Sequence, residues 1–123
     1  MSLEVVMIQI KRVYDSPQKG DGVRILVDRL WPRGIKKENL DYDEWPKELA
    51  PSSDLRKKFH SDSLSYSEFK KEYKKELKQD EAQDKILEIA KVAKKKKVTL
   101  LYGAKDTEHN NAVVLKEMIE KEI

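Results

Sequence analysis

The chain has 123 residues, 40% of them charged, and a formal net charge of only +3. It has no cysteine, which excludes disulfides, thiol catalysis and cysteine-ligated clusters. The length suits a single domain, 1–123, with a core that needs no covalent staple, and the near balance of charge leaves any preference for anions to local clustering.

Charge this dense does not imply disorder, because apolar periodicity runs through it. No apolar run approaches the roughly 20 residues of a membrane span, so no membrane partner is expected. The N-terminus lacks the basic start of a secretory signal. With the absence of cysteine, this fits a cytoplasmic address. Met1-Ser2-Leu3 reads as an added leader ahead of a start near Met7.

The first predicted strand spans Val5 to Tyr14, with Val6, Ile8 and Ile10 on one face and Gln9 and Lys11 on the other. Residues 15–22 hold Pro17, Gly20 and Gly22 and read as a loop. Val23 to Asp28 is a second strand. Only Arg24 interrupts its apolar run, which places it centrally in a sheet. Trp31-Pro32-Arg33-Gly34 ends it, since proline cannot continue a central ladder.

Lys36 to Leu40 allows one helical turn, and Trp45, Pro46 and Pro51 keep residues 43–51 irregular. Ser53 is expected to cap a helix to Phe59, with Leu55 and Phe59 one turn apart. Ser65 and Glu68 form a capping-box pattern ahead of a stripe of Tyr66, Phe69, Tyr73 and Leu77. A further helix starts near Asp80 or Glu81, turns Ala82, Ile86, Ile89, Ala90 and Ala93 inward, and ends at Lys94 to Lys97. Val98 to Tyr102 is a third strand. After a loop from Gly103 to His109, Asn110 to Ile123 forms a last helix through Ala112, Leu115, Met118 and Ile119.

These elements predict an α/β fold: a small, mostly parallel open sheet of about three strands covered by helices. The connection between the second and third strands is long and helical, as a parallel crossover requires. The ten or so residues between the first two strands permit a hairpin or a short crossover.

In such sheets ligands bind beyond the carboxyl ends of the strands. If the second and third strands are parallel, the loops after Asp28 and Tyr102 meet there. The first loop carries Arg29, Trp31, Arg33 and Gly34. Arginine forms planar bidentate bonds to phosphate or carboxylate, tryptophan offers a stacking face, and glycine lets backbone approach a ligand. Together they suit an anionic, phosphate- or nucleotide-like molecule. A structural reading stands beside this one: Asp28 paired with Arg29 or Arg33, and Trp31 in the core.

The second loop carries Asp106 and His109, with Asp106 or Thr107 expected to cap the last helix. His109 could act as acid or base. His60 reads as a cap after the first helix. The two histidines are far apart and form no metal-ligand pattern, and no phosphate-cradling glycine motif occurs, so neither a metal nor a cofactor is expected. Lys94 to Lys97 read as a helix end rather than a nucleic-acid contact.

Lys11-Arg12-Val13-Tyr14-Asp15, the stretch from Asp21 to Ile35, Trp45, Lys47 to Ser52, Phe59-His60 and Tyr102 to Thr107 resemble the prokaryotic family called domain of unknown function 488, in its short branch. The resemblance covers nearly the whole chain and implies a small cytoplasmic α/β protein with no settled activity. The wider family carries V-D-x-R-x-x-P after one strand and D-x-x-x-C-H-R after a later one. Here Asp106 to Ala112 occupies the second place without the cysteine or arginine, and Asn111 stands where some relatives have histidine. Asp28, Asp106 and His109 are therefore the candidate catalytic groups. Arg12, Arg29, Trp31, Arg33, Gly34, Tyr102, Asn110 and Asn111 are the candidate binding groups. The loop residues themselves suggest an enzyme or binding protein for an anionic small molecule. The alternative is a non-catalytic module for nucleic acid or protein, built on the basic clusters Lys70, Lys71, Lys74, Lys75 and Lys94 to Lys97.

Overall fold

A computed structural model describes residues 8–123. The expected strand start at Val5 and Val6 lies outside them. Three strands, β1 (Ile8–Arg12), β2 (Val23–Leu26) and β3 (Val98–Tyr102), form one parallel sheet in the order β1-β3-β2. Among the described residues four α-helices accompany it: α1 (Ser53–His60), α2 (Tyr66–Glu76), α3 (Asp80–Ala93) and α4 (Asn111–Glu120).

The central strand is β3, not β2 as its apolar run suggested. All five β3 residues are buried. β2 is buried for a different reason: the chain returns along its outer edge. There Leu26 N–H donates to the Glu44 carbonyl at 2.9 Å and Asp43 N–H donates to the Arg24 carbonyl at 2.7 Å. An edge strand covered in this way is as apolar as a central one. Because β1 and β2 flank β3, residues 13–22 make a short crossover rather than a hairpin.

The register explains the two faces. Ile10, Leu100 and Ile25 share a row on one face. There the sheet packs against the helices in the main core, with Ile86, Ile89, Leu115 and Ile119. Leu101 and Leu26 share a row on the opposite face, where a second cluster with Val13 and Leu40 is covered by Trp31, Ile35, Tyr42 and Trp45.

Beside that second cluster runs a polar row, Gln9, Thr99 and Arg24. The Asp21 carboxylate, 1% exposed, sits among these side chains. It accepts from Gln9 Nε2 at 3.0 Å, from Lys11 Nζ at 3.0 Å and from Arg24 Nη1. Burial pushes its pKa up, but the Gln18 backbone N–H and the Lys11 and Arg24 charges outweigh that and hold it below the ordinary carboxylate range.

The helices begin where capping chemistry places them. Ser65 and Glu68 form the expected capping box of α2, and Phe69, Tyr73 and Leu77 are buried. The cap of α1 is Ser52 rather than Ser53: its hydroxyl accepts Leu55 N–H, and Glu76 holds the same hydroxyl and the Ser52 N–H. The cap of α4 is Asn110 rather than Asp106 or Thr107. Asp106 is spent on its own turn, where Oδ1 accepts the N–H groups of Glu108 and His109. α3 ends at Ala93, with Lys94 as its C-cap.

Candidate functional site

β2 and β3 run parallel, so their carboxyl ends arrive at one edge, and a direct bond ties them there. Gly103 N–H donates to Asp28 Oδ2 at 2.8 Å. Asn111, in the first turn of α4, donates its amide to Asp28 Oδ1 at 3.0 Å and to the Val27 carbonyl at 3.1 Å. Asp28 thus bonds to backbone and amide, and neither Arg29 nor Arg33 pairs with it. Burial pushes the Asp28 carboxyl above its ordinary pKa, against the downward pull of Asn111, the Gly103 N–H and the nearby His60.

Around Asp28 opens a cleft of about 320 Å³. The loop 29–33 forms one wall, α1 contributes Arg56, Phe59 and His60, and Gly103, Ala104 and residues 109–111 close the far side. Arg56, Phe59 and His60 face it because positions i, i+3 and i+4 lie on one side of a helix. Phe59 stacks on Phe69 with ring centroids 4.5 Å apart, giving the cleft an aromatic wall. Arg29 is held across it by Nε–H donation to the Pro51 carbonyl at 2.8 Å. Arg33 is exposed, and its carbonyl accepts the Tyr14 hydroxyl at 2.9 Å.

Of the residues singled out from sequence, Asp28, Arg29, Trp31, Arg33, His109, Asn110 and Asn111 line this cleft. Trp31 serves the fold as well. Its indole N–H donates to the Ile35 carbonyl at 2.5 Å, and its ring meets Tyr42 and Trp45 edge-on. Asn110 lines the cleft but spends its side chain on capping α4 and on the Asp106 carbonyl.

Four candidates lie elsewhere. Arg12 donates to the carbonyls of Ala104 and Gly103 and lies over the Tyr14 ring, so it braces the loop after β3. Tyr102 is buried in the strand. Gly34 makes a turn at φ +77°, outside the cleft lining. Asp106 is exposed on the loop beyond, bonded to His109 Nδ1 at 3.0 Å, while the His109 ring rests edge-on against Tyr66.

His60 is the last residue of α1 and lines the cleft, rather than capping the helix from a loop. Arg56, Phe59, His60, Tyr14, Pro51 and Phe69 are the lining residues that sequence reading missed. The spacing of Arg56, Phe59 and His60 on a predicted helix was a signal that could have found three of them. Among the described residues, no group of three metal-ligating side chains comes together. No described helix is long and apolar enough to cross a membrane.

The fold and cleft therefore define a small parallel α/β protein with a cleft at the carboxyl edge of its sheet, lined by Asp28, Arg29, Arg33 and Arg56 among apolar residues. The chain belongs to the DUF488-N3 family: a family profile described as the inactive DUF488-N3 subclade matches residues 7–123. It is similar to the uncharacterized protein YeaO of Escherichia coli (strain K12), 53% identical over 112 residues, which are 91% of this chain and 96% of that one. It is also similar to the uncharacterized proteins Mb3100c of Mycobacterium bovis and Rv3073c of Mycobacterium tuberculosis. Each is 32% identical over 91% of this chain and 92% of the relative. No solved structure matches it significantly.

Proposed function

We propose that the protein binds a small anionic molecule carrying a ring, phosphate- or nucleotide-like, and holds it without transforming it. The observation that carries this reading is the convergence of Arg29, Arg33 and Arg56 on the cleft, none of them paired with a carboxylate among the described residues. Phe59 and Phe69 supply the apolar face for a ring. The volume lies at the low end of ligand sites, about 300–1,000 Å³, and suits a small ring-bearing anion.

The lining favours holding over chemistry. Its acid–base groups are partly engaged: Asp28 is bonded by Asn111 and Gly103, and the His109 ring is bonded to Asp106 and rests on Tyr66. The description of the family profile as inactive agrees. The nucleic-acid alternative loses some ground because Lys70 and Lys74 share the one carboxylate of Glu117, and Lys75 pairs with Glu72, which lowers the positive charge of that cluster.

The test is thermal melting with inorganic phosphate, sulfate and adenosine monophosphate, against chloride at matched ionic strength. A ligand at about 100 times its Kd adds about 2.7 kcal/mol of stability. For a chain of this length that is roughly 8–16 °C in Tm. The ring-bearing phosphate should raise Tm most and be recovered unchanged. A Tm that follows ionic strength alone would overturn the reading.

A further inference from the structure

We propose that the cleft takes its ligand acid end first, with the dianion of a phosphate monoester seated on Arg56 and the ring it carries lying along Phe59. This rests on the anion-binding reading above and specifies its ligand class.

The first support is an unpartnered donor. Arg56 Nε is buried and has no hydrogen-bond acceptor among the described residues. The other arginines at this edge differ. Arg12 Nε donates to the Ala104 carbonyl at 2.9 Å, Arg29 Nε donates to the Pro51 carbonyl at 2.8 Å, and Arg33 is exposed to water. A charged donor withdrawn from water without an acceptor is unfavourable, and an anion relieves that most fully. Nε and the adjacent Nη form the edge of the guanidinium fork that matches two oxygens of one phosphate.

The second support is charge. Arg29, Arg33 and Arg56 face one carboxyl, Asp28, so the cleft keeps a surplus of at least two positive charges. A phosphate monoester carries close to two negative charges above its second ionisation, near pH 6. A carboxylate or a nucleic-acid phosphodiester carries one. The third support is spacing. Arg56 and Phe59 are three residues apart on α1, which sets their Cβ atoms about 5–6 Å apart on one helix face. A phosphate bonded directly to a ring spans that interval.

The experiment measures the Kd values of phenyl phosphate, methyl phenyl phosphate (the diester, one charge) and benzoate by titration calorimetry at about pH 7.5, where the monoester is a dianion. Wild-type protein is compared with Arg56→Ala, Arg56→Gln and Arg56→Lys. Phenyl phosphate should bind at least about tenfold tighter than the other two, the increment expected of a charge-assisted contact. Arg56→Ala and Arg56→Gln should remove most of that preference, and Arg56→Lys should restore only part, because an ammonium cannot form the fork. Tm is read for each variant, and Arg56→Gln keeps polar volume if the alanine variant folds poorly.

Equal affinities for the three probes would overturn the dianion assignment, as would unchanged phenyl phosphate binding in the folded Arg56 variants. Anion binding that survives in those variants but is lost in Arg29→Ala would leave the proposed function standing and refute this inference alone. Wild-type protein that binds none of the probes would refute both.

Discussion

Arg29 and Arg33 sit four residues apart on one loop, yet the structure separates what their removal should do. Arg29 is half-buried and donates Nε–H to the carbonyl of Pro51, the residue before the cap of α1. A hydrogen bond from a charged donor contributes roughly 1.5–3 kcal/mol. Half-burial places Arg29→Ala at about 2 kcal/mol of lost stability, a fall in Tm of roughly 6–12 °C for a chain of this length. The Arg33 side chain is exposed, and its contact with Tyr14 runs through the backbone carbonyl, which alanine keeps. Arg33→Ala should therefore cost no more than about 0.5 kcal/mol. Both variants should blunt the rise in Tm that adenosine monophosphate produces, because each removes a guanidinium from the cleft. The assay is urea denaturation for stability, followed by melts across a ligand series. Equal, large stability losses in both variants, with the ligand response of the wild type intact in each, would refute the reasoning. The loop would then be a structural network that binds nothing.

Gly22 has φ +65°, and a Cβ there would lie 2.1 Å from the Lys97 carbonyl oxygen, the acceptor for Val23 N–H. Gly22→Ala should cost roughly 3–5 kcal/mol, from backbone strain of about 1–3 kcal/mol plus a forced shift where β2 joins β3. Gly20→Ala, which meets nothing within 4 Å, should be near neutral, and equal midpoints of denaturation for the two would refute this. Asp21 is held below its ordinary pKa of 3.8, so its stabilisation is present above that value and is lost as pH falls through the lower folded value. Asp21→Asn should cost about 3 kcal/mol near neutral pH by leaving Lys11 and Arg24 without their counter-charge. It should also remove part of the acid-limb loss of stability; an unchanged acid limb would contradict the assignment.

The helices and the apolar strands were legible in the sequence because their causes are local. A capping box at Ser65 and Glu68, a stripe from Phe69 to Leu77 and an apolar run from Val98 to Tyr102 each act within a few residues. Parallel pairing of β2 with β3 was also legible, since the connection is long and helical, and it brought Asp28 to the end of β3. The strand order was not. The apolar run of β2 reports burial without saying whether a neighbouring strand or the returning segment at Asp43 and Glu44 provides it.

Side-chain partners were decided by tertiary structure as well. Gln9 and Lys11 read as the face opposite the apolar one and Arg24 as an interruption, but the crossover folds Asp21 over them and gathers all four into one buried, hydrogen-bonded cluster. The sequence by itself placed a cationic loop at a strand end. Only the packing of α1 against that loop brought Arg56, Phe59 and His60 into the same cleft and left Asp28 bonded to Gly103 and Asn111 instead of to an arginine. The physical reason is range: capping and periodicity act over one helical turn, whereas a pocket is assembled from segments about 80 residues apart, whose meeting depends on the burial of the whole core.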